Sequence, residues 1–220
     1  MARRSRVPLR RFTLGAALAA SAVSAALCAA LFVTAVLTAP GQQVDVAGLA
    51  LLAAPEPAAA GVARLVRALL PGLVACGLVG ALVSAARREP RPVLAAAASL
   101  PLVALALATA LRDLVLTRPY LGANGYLENT FPSAHTATLA AACVAVAILL
   151  RDRARPWQTA ALASCVLLTA WANVASSAHR PSDVLGGILL AGVLAPWVVL
   201  LAHRLPPASP QPLPESTNRK

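Results

Sequence analysis

Two polar stretches interrupt a chain that is otherwise largely apolar: LRDLVLTRPYLGANGYLENTFPSAH at residues 111–135 and HRPSD at residues 179–183. Together they contain two of the three histidines of the protein. Each stretch reaches a Pro-Ser pair and then runs into a long apolar segment, so Ser133 and Ser182 are predicted to cap two helices. A helix start offers free backbone N–H groups and a positive dipole end to an anion. The two stretches therefore predict a pocket of phosphate size between two helix starts.

The composition is that of a membrane protein. Of the 220 residues, 59% are hydrophobic and 12% are charged, and the mean hydropathy is +0.72, which is outside the usage of soluble domains. The net charge of +11 would suit nucleic acid, but the arginines lie in short runs beside apolar segments, as topological anchors do. We therefore expect contact with a lipid bilayer and no nucleic-acid partner.

Six apolar segments are long enough to cross a bilayer as helices, which takes about 20 residues. The sequence thus predicts an all-α, polytopic membrane protein with six transmembrane helices. Residues 1–11 are predicted to form a basic cytoplasmic tail, residues 12–203 the membrane domain with its motif core at 112–187, and residues 204–220 a disordered, proline-rich tail. The predicted helices are residues 12–38, 62–86, 93–111, 133–150, 159–178 and 184–202.

The distribution of lysine and arginine predicts the orientation in the membrane. Most of these residues lie in the two tails and in the connections that follow the second and fourth apolar segments. Both termini are therefore expected to be cytoplasmic and the two polar stretches extracytoplasmic, in the plasma membrane. The opposite side carries a smaller set, namely Arg64, Arg67, Arg112, Arg118 and Arg180.

The connection at residues 39–61 is long and contains Pro40, Pro55 and Pro57. Its apolar patch at residues 46–54 is predicted to lie in the membrane interface. We predict no chemical role for this connection.

His179 and Asp183 are four residues apart, so a helical turn between them would present both side chains on one face. The carboxylate would then fix the imidazole tautomer and stabilise its protonated form, as the partner of a nucleophile or a base. A surface histidine followed by an aspartate that caps a helix is the alternative. The pair by itself leaves both possibilities open.

His135 follows Ser133 in the first turn of a predicted helix, where the dipole disfavours imidazolium and makes a charged histidine a readier proton donor. Arg112 and Arg118 supply guanidinium groups that suit bidentate phosphate binding. Arginines at a helix end also extend to lipid headgroups, however, and a single histidine there is often an ordinary interfacial residue.

In this order along the chain, Arg118-Pro119, Pro132-Ser133-Ala134-His135 and the pair His179 and Asp183 resemble the motifs of the type-2 phosphatidic acid phosphatase family. The resemblance covers residues 112–187 by motif. It implies the helical core that the family shares with acid phosphatases and vanadium haloperoxidases, six transmembrane helices and an outward-facing active site. It implies no metal and no other cofactor, and no set of metal ligands stands out in the sequence.

The resemblance also implies a role for each motif residue. His179 would attack phosphorus and become phosphohistidine, Asp183 would orient His179, and His135 would protonate the leaving oxygen and later activate water. These roles suit phosphoryl transfer, which depends on positioning and charge stabilisation. The phosphoryl oxygens would be held by Arg118, Ser133 and the backbone amide of Ala134.

Three positions depart from the family pattern. The family has a basic residue where this chain has Leu111, and Arg112 lies one residue closer to the Arg-Pro pair. Ala134 stands where glycine is usual. The Ser-Arg pair that precedes the nucleophilic histidine is replaced by Ala172 and Asn173. Losing that guanidinium is expected to cost about 1.5–3 kcal/mol of phosphate binding.

Arg180 or Arg112 could replace this charge, a hypothesis that their positions alone suggest. The leading prediction is a metal-independent phosphatase that acts on a lipid phosphomonoester or diphosphate, such as phosphatidic acid or a polyprenyl (di)phosphate. The alternative, suggested by Asn173, is a catalytically impaired member that binds an anionic lipid or a partner. A small transporter fits less well, because its ionisable residues would lie near the midplane, and the related haloperoxidases are soluble.

Overall fold

The computed structural model describes residues 12–122 and 128–205. Within these ranges the chain forms seven α-helices and no β-strand. A five-residue π-helical turn extends α1 to Val36, and a second one extends α4 to Val115. The helices are α1 (Leu14–Leu31), α2 (Ala39–Leu52), α3 (Pro57–Ala85), α4 (Arg91–Ala110), α5 (Ala134–Leu150), α6 (Pro156–Ala175) and α7 (Pro181–Arg204).

The long helices coincide with the six predicted apolar segments. In the described ranges, five of them are long and apolar enough to cross a membrane: α1 and α4 with their π-helical turns, α3, α6 and α7. The sixth, α5, is apolar but has only 17 residues. The prediction of an all-α, multi-pass membrane protein is confirmed. The predicted basic tail and residues 206–220 of the predicted proline-rich tail lie outside the described residues.

Helix α5 is the centre of the bundle. It packs against α3, α4, α6 and α7, and most of its residues are buried, many of them alanines. Small side chains let helices approach closely where lipid provides no hydrophobic drive for association. Helix α5, which carries His135 in its first turn, is therefore enclosed by four of the other helices.

Helices α5 and α7 approach each other closely at Gly187. A Cβ atom at this position would lie 2.6 Å from the carbonyl oxygen of Ser133 and 3.0 Å from the amide nitrogen of Ala137. The backbone N–H of Ser133 donates to the carbonyl oxygen of Asp183 at 2.8 Å. The two helix starts that the sequence singles out thus lie side by side.

The bundle has two ends that differ in composition. The site end contains the starts of α3, α5 and α7 and the ends of α1, α4 and α6. At the opposite, far end, Arg151 is paired with Glu89 at 2.9 Å, and the rings of Phe12 and His203 stack with centroids 6.0 Å apart. The start of α1 and the end of α7 therefore lie next to each other at the far end.

Helix α2 is longer than the interfacial patch predicted at residues 46–54. It begins at Ala39, where Thr38 caps it by accepting the N–H of Gly41 at 3.1 Å. The side-chain amide of Gln42 donates to the carbonyl oxygens of Val36 at 2.7 Å and Pro119 at 2.8 Å. Helix α2 thereby holds the segment that carries Arg118 against the rest of the site end.

Candidate active site

Ser133 caps α5, as predicted. Its hydroxyl oxygen accepts the backbone N–H of Thr136 at 3.3 Å and the hydroxyl of the same residue at 3.1 Å. Both side chains are fully buried. Because the hydroxyl oxygen of Ser133 caps α5, it fixes where the helix begins and hence the direction in which the side chain of His135 projects.

The prediction that Ser182 caps α7 is wrong. The N-cap of α7 is Arg180, whose backbone N–H donates to the carboxylate of Asp183 at 3.0 Å. Pro181 occupies the first helical position, where its missing N–H costs nothing, so the cap lies one residue before it. The backbone N–H and the hydroxyl of Ser182 instead donate to the carboxylate of Asp45 on α2, at 2.9 Å and 2.5 Å.

The carboxylate of Asp183 is buried and held by three donors. One oxygen accepts from Nη2 of Arg118 at 2.9 Å. The other accepts from the hydroxyl of Thr130 at 2.5 Å and from the N–H of Arg180 at 3.0 Å. That oxygen also lies 3.7 Å from Nδ1 of His179, which is an electrostatic contact rather than a hydrogen bond. Asp183 thus has a fixed position beside the imidazole that it is predicted to orient.

The backbone at His179 is fixed by the end of α6. The carbonyl oxygen of Asn173 accepts the N–H groups of Ala178 at 3.0 Å and His179 at 3.1 Å. Ser177, directly before Ala178, adopts a left-handed conformation with φ of 56°, which reverses the chain direction. The turn delivers His179 directly to the start of α7.

His135 and His179 line one cavity of about 680 Å³ between α3, α4 and α5. Two other predicted site residues, Ala134 and Arg112, line it as well, although Arg112 is paired with Asp113 at 2.6 Å. Most of the remaining wall is apolar. Its larger side chains are Val74, Leu78, Val79, Leu82, Leu102, Leu105 and Leu139.

The other predicted phosphate ligands, Arg118, Ser133 and Arg180, are buried and do not line this cavity. Arg118 faces two carboxylates, with Nη2 on Asp183 and Nη1 3.8 Å from Asp45. Its Nε and Nη1 atoms make no hydrogen bond to any described residue. Burial lowers the pKa of Arg118 below its ordinary value, although Asp183 opposes this shift. The structure thus gathers these residues around Asp183 rather than around the cavity.

Sequence reasoning missed Arg67 of α3, which lines the cavity beside both histidines. Its carbonyl oxygen lies 3.0 Å from Nε2 of His135. A carbonyl oxygen only accepts, so this geometry assigns a proton to Nε2. The side chain of Arg67 donates through Nε to Oδ1 of Asn173 at 2.9 Å. The available signal was a charged residue inside an apolar helix, which marks a functional position in membrane proteins.

Sequence reasoning also missed Asp45, and no chemical role was predicted for its connection. Its carboxylate is buried and accepts both donors of Ser182. Burial raises the pKa of Asp45 above its ordinary value, while the hydrogen bonds from Ser182 oppose the shift. A single acid directly before the apolar patch was the only hint.

The model of the PAP2 superfamily matches residues 64–206. This range covers well over half of the chain and contains His135, His179 and Asp183. The chain belongs to the PAP2 superfamily. The resemblance inferred from the motifs is therefore confirmed, and PAP2 membership supports a phosphatase-type function in general. Searches of curated proteins and of solved structures gave no match.

The PAP2 match leaves out α1 and α2, so Asp45 lies outside the matched range. It includes Arg67 and also Asn173, the position where the sequence departs from the family pattern by lacking an arginine. In this PAP2 chain, the two residues at issue are hydrogen-bonded to each other.

Proposed function

We propose that the protein hydrolyses a phosphomonoester or diphosphate of a membrane lipid, without a metal ion, through a phosphohistidine. The observation that carries this proposal is that His135 and His179 line the same cavity, whose remaining wall is mainly apolar. A lipid phosphate requires both features, because its headgroup must meet the histidines while its chain stays out of water. Phosphatidic acid and a polyprenyl (di)phosphate both have this form.

In the first step, Nε2 of His179 forms a bond to phosphorus while the bond from phosphorus to the leaving oxygen breaks. The imidazole becomes positively charged, and the carboxylate of Asp183, 3.7 Å from its other nitrogen, stabilises that charge. Protonated His135 gives a proton to the leaving oxygen and becomes neutral.

In the second step, a water molecule attacks phosphorus as the phosphorus–nitrogen bond breaks. Neutral His135 takes a proton from this water, and the imidazole of His179 is released unmodified. Inorganic phosphate leaves when the substrate is a monoester. The contact of His135 with the carbonyl oxygen of Arg67 keeps its ring at the cavity wall throughout this cycle.

The distribution of arginines supports an extracytoplasmic position for this site in the plasma membrane. The far end of the bundle contains the arginine-rich connections after α3 and α5, which are expected to remain in the cytoplasm. Both termini would then be cytoplasmic, and the headgroup would enter from the outer leaflet.

The test is phosphate release by the purified protein in detergent micelles, with a chelator present. Dioleoyl phosphatidic acid and a polyprenyl diphosphate serve as substrates. We expect His179→Ala to lower the rate by at least about 10³-fold, because the nucleophile is lost. His203→Ala is the matched control, since His203 is an exposed histidine at the far end. Equal rates for the wild type and His179→Ala would refute the mechanism.

A second readout separates catalysis from binding. Brief incubation with labelled substrate should leave an acid-labile label on the wild type and none on His179→Ala. A wild-type protein that binds phosphatidic acid micelles but neither releases phosphate nor becomes labelled would instead support the alternative of a non-enzymatic lipid-binding member.

A further inference from the structure

The guanidinium of Arg67 is placed to meet an anion in the cavity. Its side chain is half-buried and lines the cavity with His135 and His179. Arginine carries five N–H donors, and in the described part of the chain the only side-chain hydrogen bond of Arg67 is the one from Nε to Asn173. The four N–H groups on its terminal nitrogens remain for a ligand.

Asn173 is held in the orientation that this contact requires. Its side chain is fully buried, and its Nδ2 donates to the carbonyl oxygen of Thr169 at 2.9 Å and to the hydroxyl of Thr136 at 3.3 Å. Because the amide nitrogen is bound on that side, Oδ1 must face Arg67. Asn173 therefore fixes the guanidinium without neutralising it.

The other arginines near the site are placed differently. Arg112 forms two hydrogen bonds with the carboxylate of Asp113, at 2.6 Å and 3.0 Å. Arg118 is bound to Asp183, and Arg180 is buried away from the cavity lining. Arg67 lines the cavity and has no carboxylate partner among the described residues. Arg112 and Arg180, the two replacements that the sequence suggested, do not combine these properties, because Arg112 is paired with Asp113 and Arg180 does not line the cavity.

We propose that Arg67 binds the phosphoryl oxygens of the substrate, and that Asn173 is its positioning residue. The charge that the family pattern places at position 173 on α6 thus reaches the same cavity from α3. This inference rests on the proposed function, because that function supplies the phosphorylated substrate that Arg67 would bind. Binding of inorganic phosphate or vanadate by Arg67 does not require turnover, which allows the two proposals to be tested separately.

The backbone geometry makes Arg67 suitable for substitution. The contact to His135 is made by the main-chain oxygen of Arg67, so a side-chain replacement leaves it in place. Removing the guanidinium takes away charge-assisted hydrogen bonds, which are stronger than neutral ones and bidentate toward phosphate. We expect kcat/KM to fall about 10- to 100-fold.

The experiment compares Arg67→Gln and Arg67→Lys with Arg64→Gln in the full-length protein. Arg64 is an exposed arginine three residues away on the same helix and does not line the cavity. The measurements are kcat and KM for dioleoyl phosphatidic acid and the inhibition constant or dissociation constant of orthovanadate. Arg67→Gln should weaken vanadate binding by about the same 10- to 100-fold factor, Arg67→Lys should lie between it and the wild type, and Arg64→Gln should match the wild type.

A charge swap provides a stricter measurement. In the double variant Arg67→Asn with Asn173→Arg, the guanidinium returns to α6 and the amide moves to α3. We expect vanadate affinity at least about tenfold tighter than in Arg67→Asn alone. A folded swap variant with no recovery of affinity would overturn the inference, because position 67 would then matter for another reason.

The possible results distinguish the two proposals. Phosphate release by the wild type with unchanged vanadate affinity in Arg67→Gln would overturn the role of Arg67 and leave the proposed function standing. Vanadate binding that depends on Arg67, in a wild type that releases no phosphate, would support the role of Arg67 and refute the proposed function. A wild type that neither binds vanadate nor turns over lipid phosphate would refute both.

Discussion

Two arginine–carboxylate pairs of equal length hold the two ends of the bundle. At the far end, Arg151 donates to Glu89 at 2.9 Å and its guanidinium also reaches the carbonyl oxygen of Ala202 at 3.4 Å. At the site end, Arg118 donates to Asp183 at 2.9 Å, yet its Nε and Nη1 atoms find no acceptor among the described residues. At the far end, further donors of Arg151 have backbone carbonyl acceptors. At the site end, Arg118 has buried N–H donors without an acceptor among the described residues.

The difference shows that the length of an ion pair does not reveal its role. Buried donors that have acceptors contribute to the fold, while a concentration of cationic donors suits the binding and stabilisation of an anion. At the site end, Arg67, Arg112 and both histidines line one cavity. At the far end, the pair joins the ends of three helices.

The largest expected contrast comes from removing one charge at each end. Asp183→Asn should lower phosphate release by about 10²- to 10⁴-fold, because in the proposed mechanism this carboxylate stabilises the positive charge that His179 gains on attack. Glu89→Gln should leave the rate per folded molecule unchanged but lower the free energy of unfolding by about 1–3 kcal/mol. The measurements are lipid phosphate hydrolysis and thermal unfolding in detergent. A loss of activity in Glu89→Gln as large as in Asp183→Asn would remove the distinction between the ends.

A second contrast concerns how closely helices approach near the site. Gly187→Ala would place a methyl group 2.6 Å from the carbonyl oxygen of Ser133, which should cost about 1–3 kcal/mol of stability through overpacking. It should also lower activity, since His135 lies in the first turn of α5 and His179 lies just before α7. The control is Gly80→Ala on α3, where nothing lies within 4 Å of the added atom and helix propensity should improve slightly. Equal unfolding midpoints for the two variants would contradict the close approach.

The smallest expected effect is a pH dependence at Asp45. Burial raises the pKa of Asp45 in the folded protein, so the folded state holds its proton more tightly than the unfolded chain does. The stability from this group is full below the ordinary pKa of an aspartate and is lost as the pH rises through the raised pKa. Asp45→Asn should therefore flatten the decline of the unfolding midpoint over this range.

Asp152, an exposed aspartate at the far end, provides the comparison for Asp45. Asp152→Asn should leave the pH profile of the unfolding midpoint close to that of the wild type. A wild-type midpoint that rises across the same acidic range, and does so equally in Asp45→Asn, would show that burial does not control this titration.

The fold could be predicted from the sequence because its signal is local. A run of about 20 apolar residues forms a membrane helix wherever it lies in the chain, and Pro-Ser before such a run marks a helix start. The same local logic failed at Ser182. There the chain offers two capping arrangements, and Pro181 together with the carboxylate of Asp183 favours the cap at Arg180.

The site could be predicted only in part, because some of its contacts join distant segments. His179 lies just before the N-cap of α7 and Asp183 lies in its first turn, so their proximity follows from their short separation along the chain. The contacts of Arg67 with Asn173 and of Asp45 with Ser182 depend on which face each helix turns toward its neighbours. Alanine-rich helices carry little pattern that would reveal this rotation, and so both contacts had to be found in three dimensions.

The hydrogen bond between Arg67 and Asn173 bears on how divergent family members are judged. A motif scan that demands arginine at position 173 would class this chain as a pseudoenzyme, although the guanidinium of Arg67 lines the cavity from another transmembrane helix. For such chains, the charged residues that line the cavity in three dimensions are a better guide to activity than a missing arginine in a sequence motif.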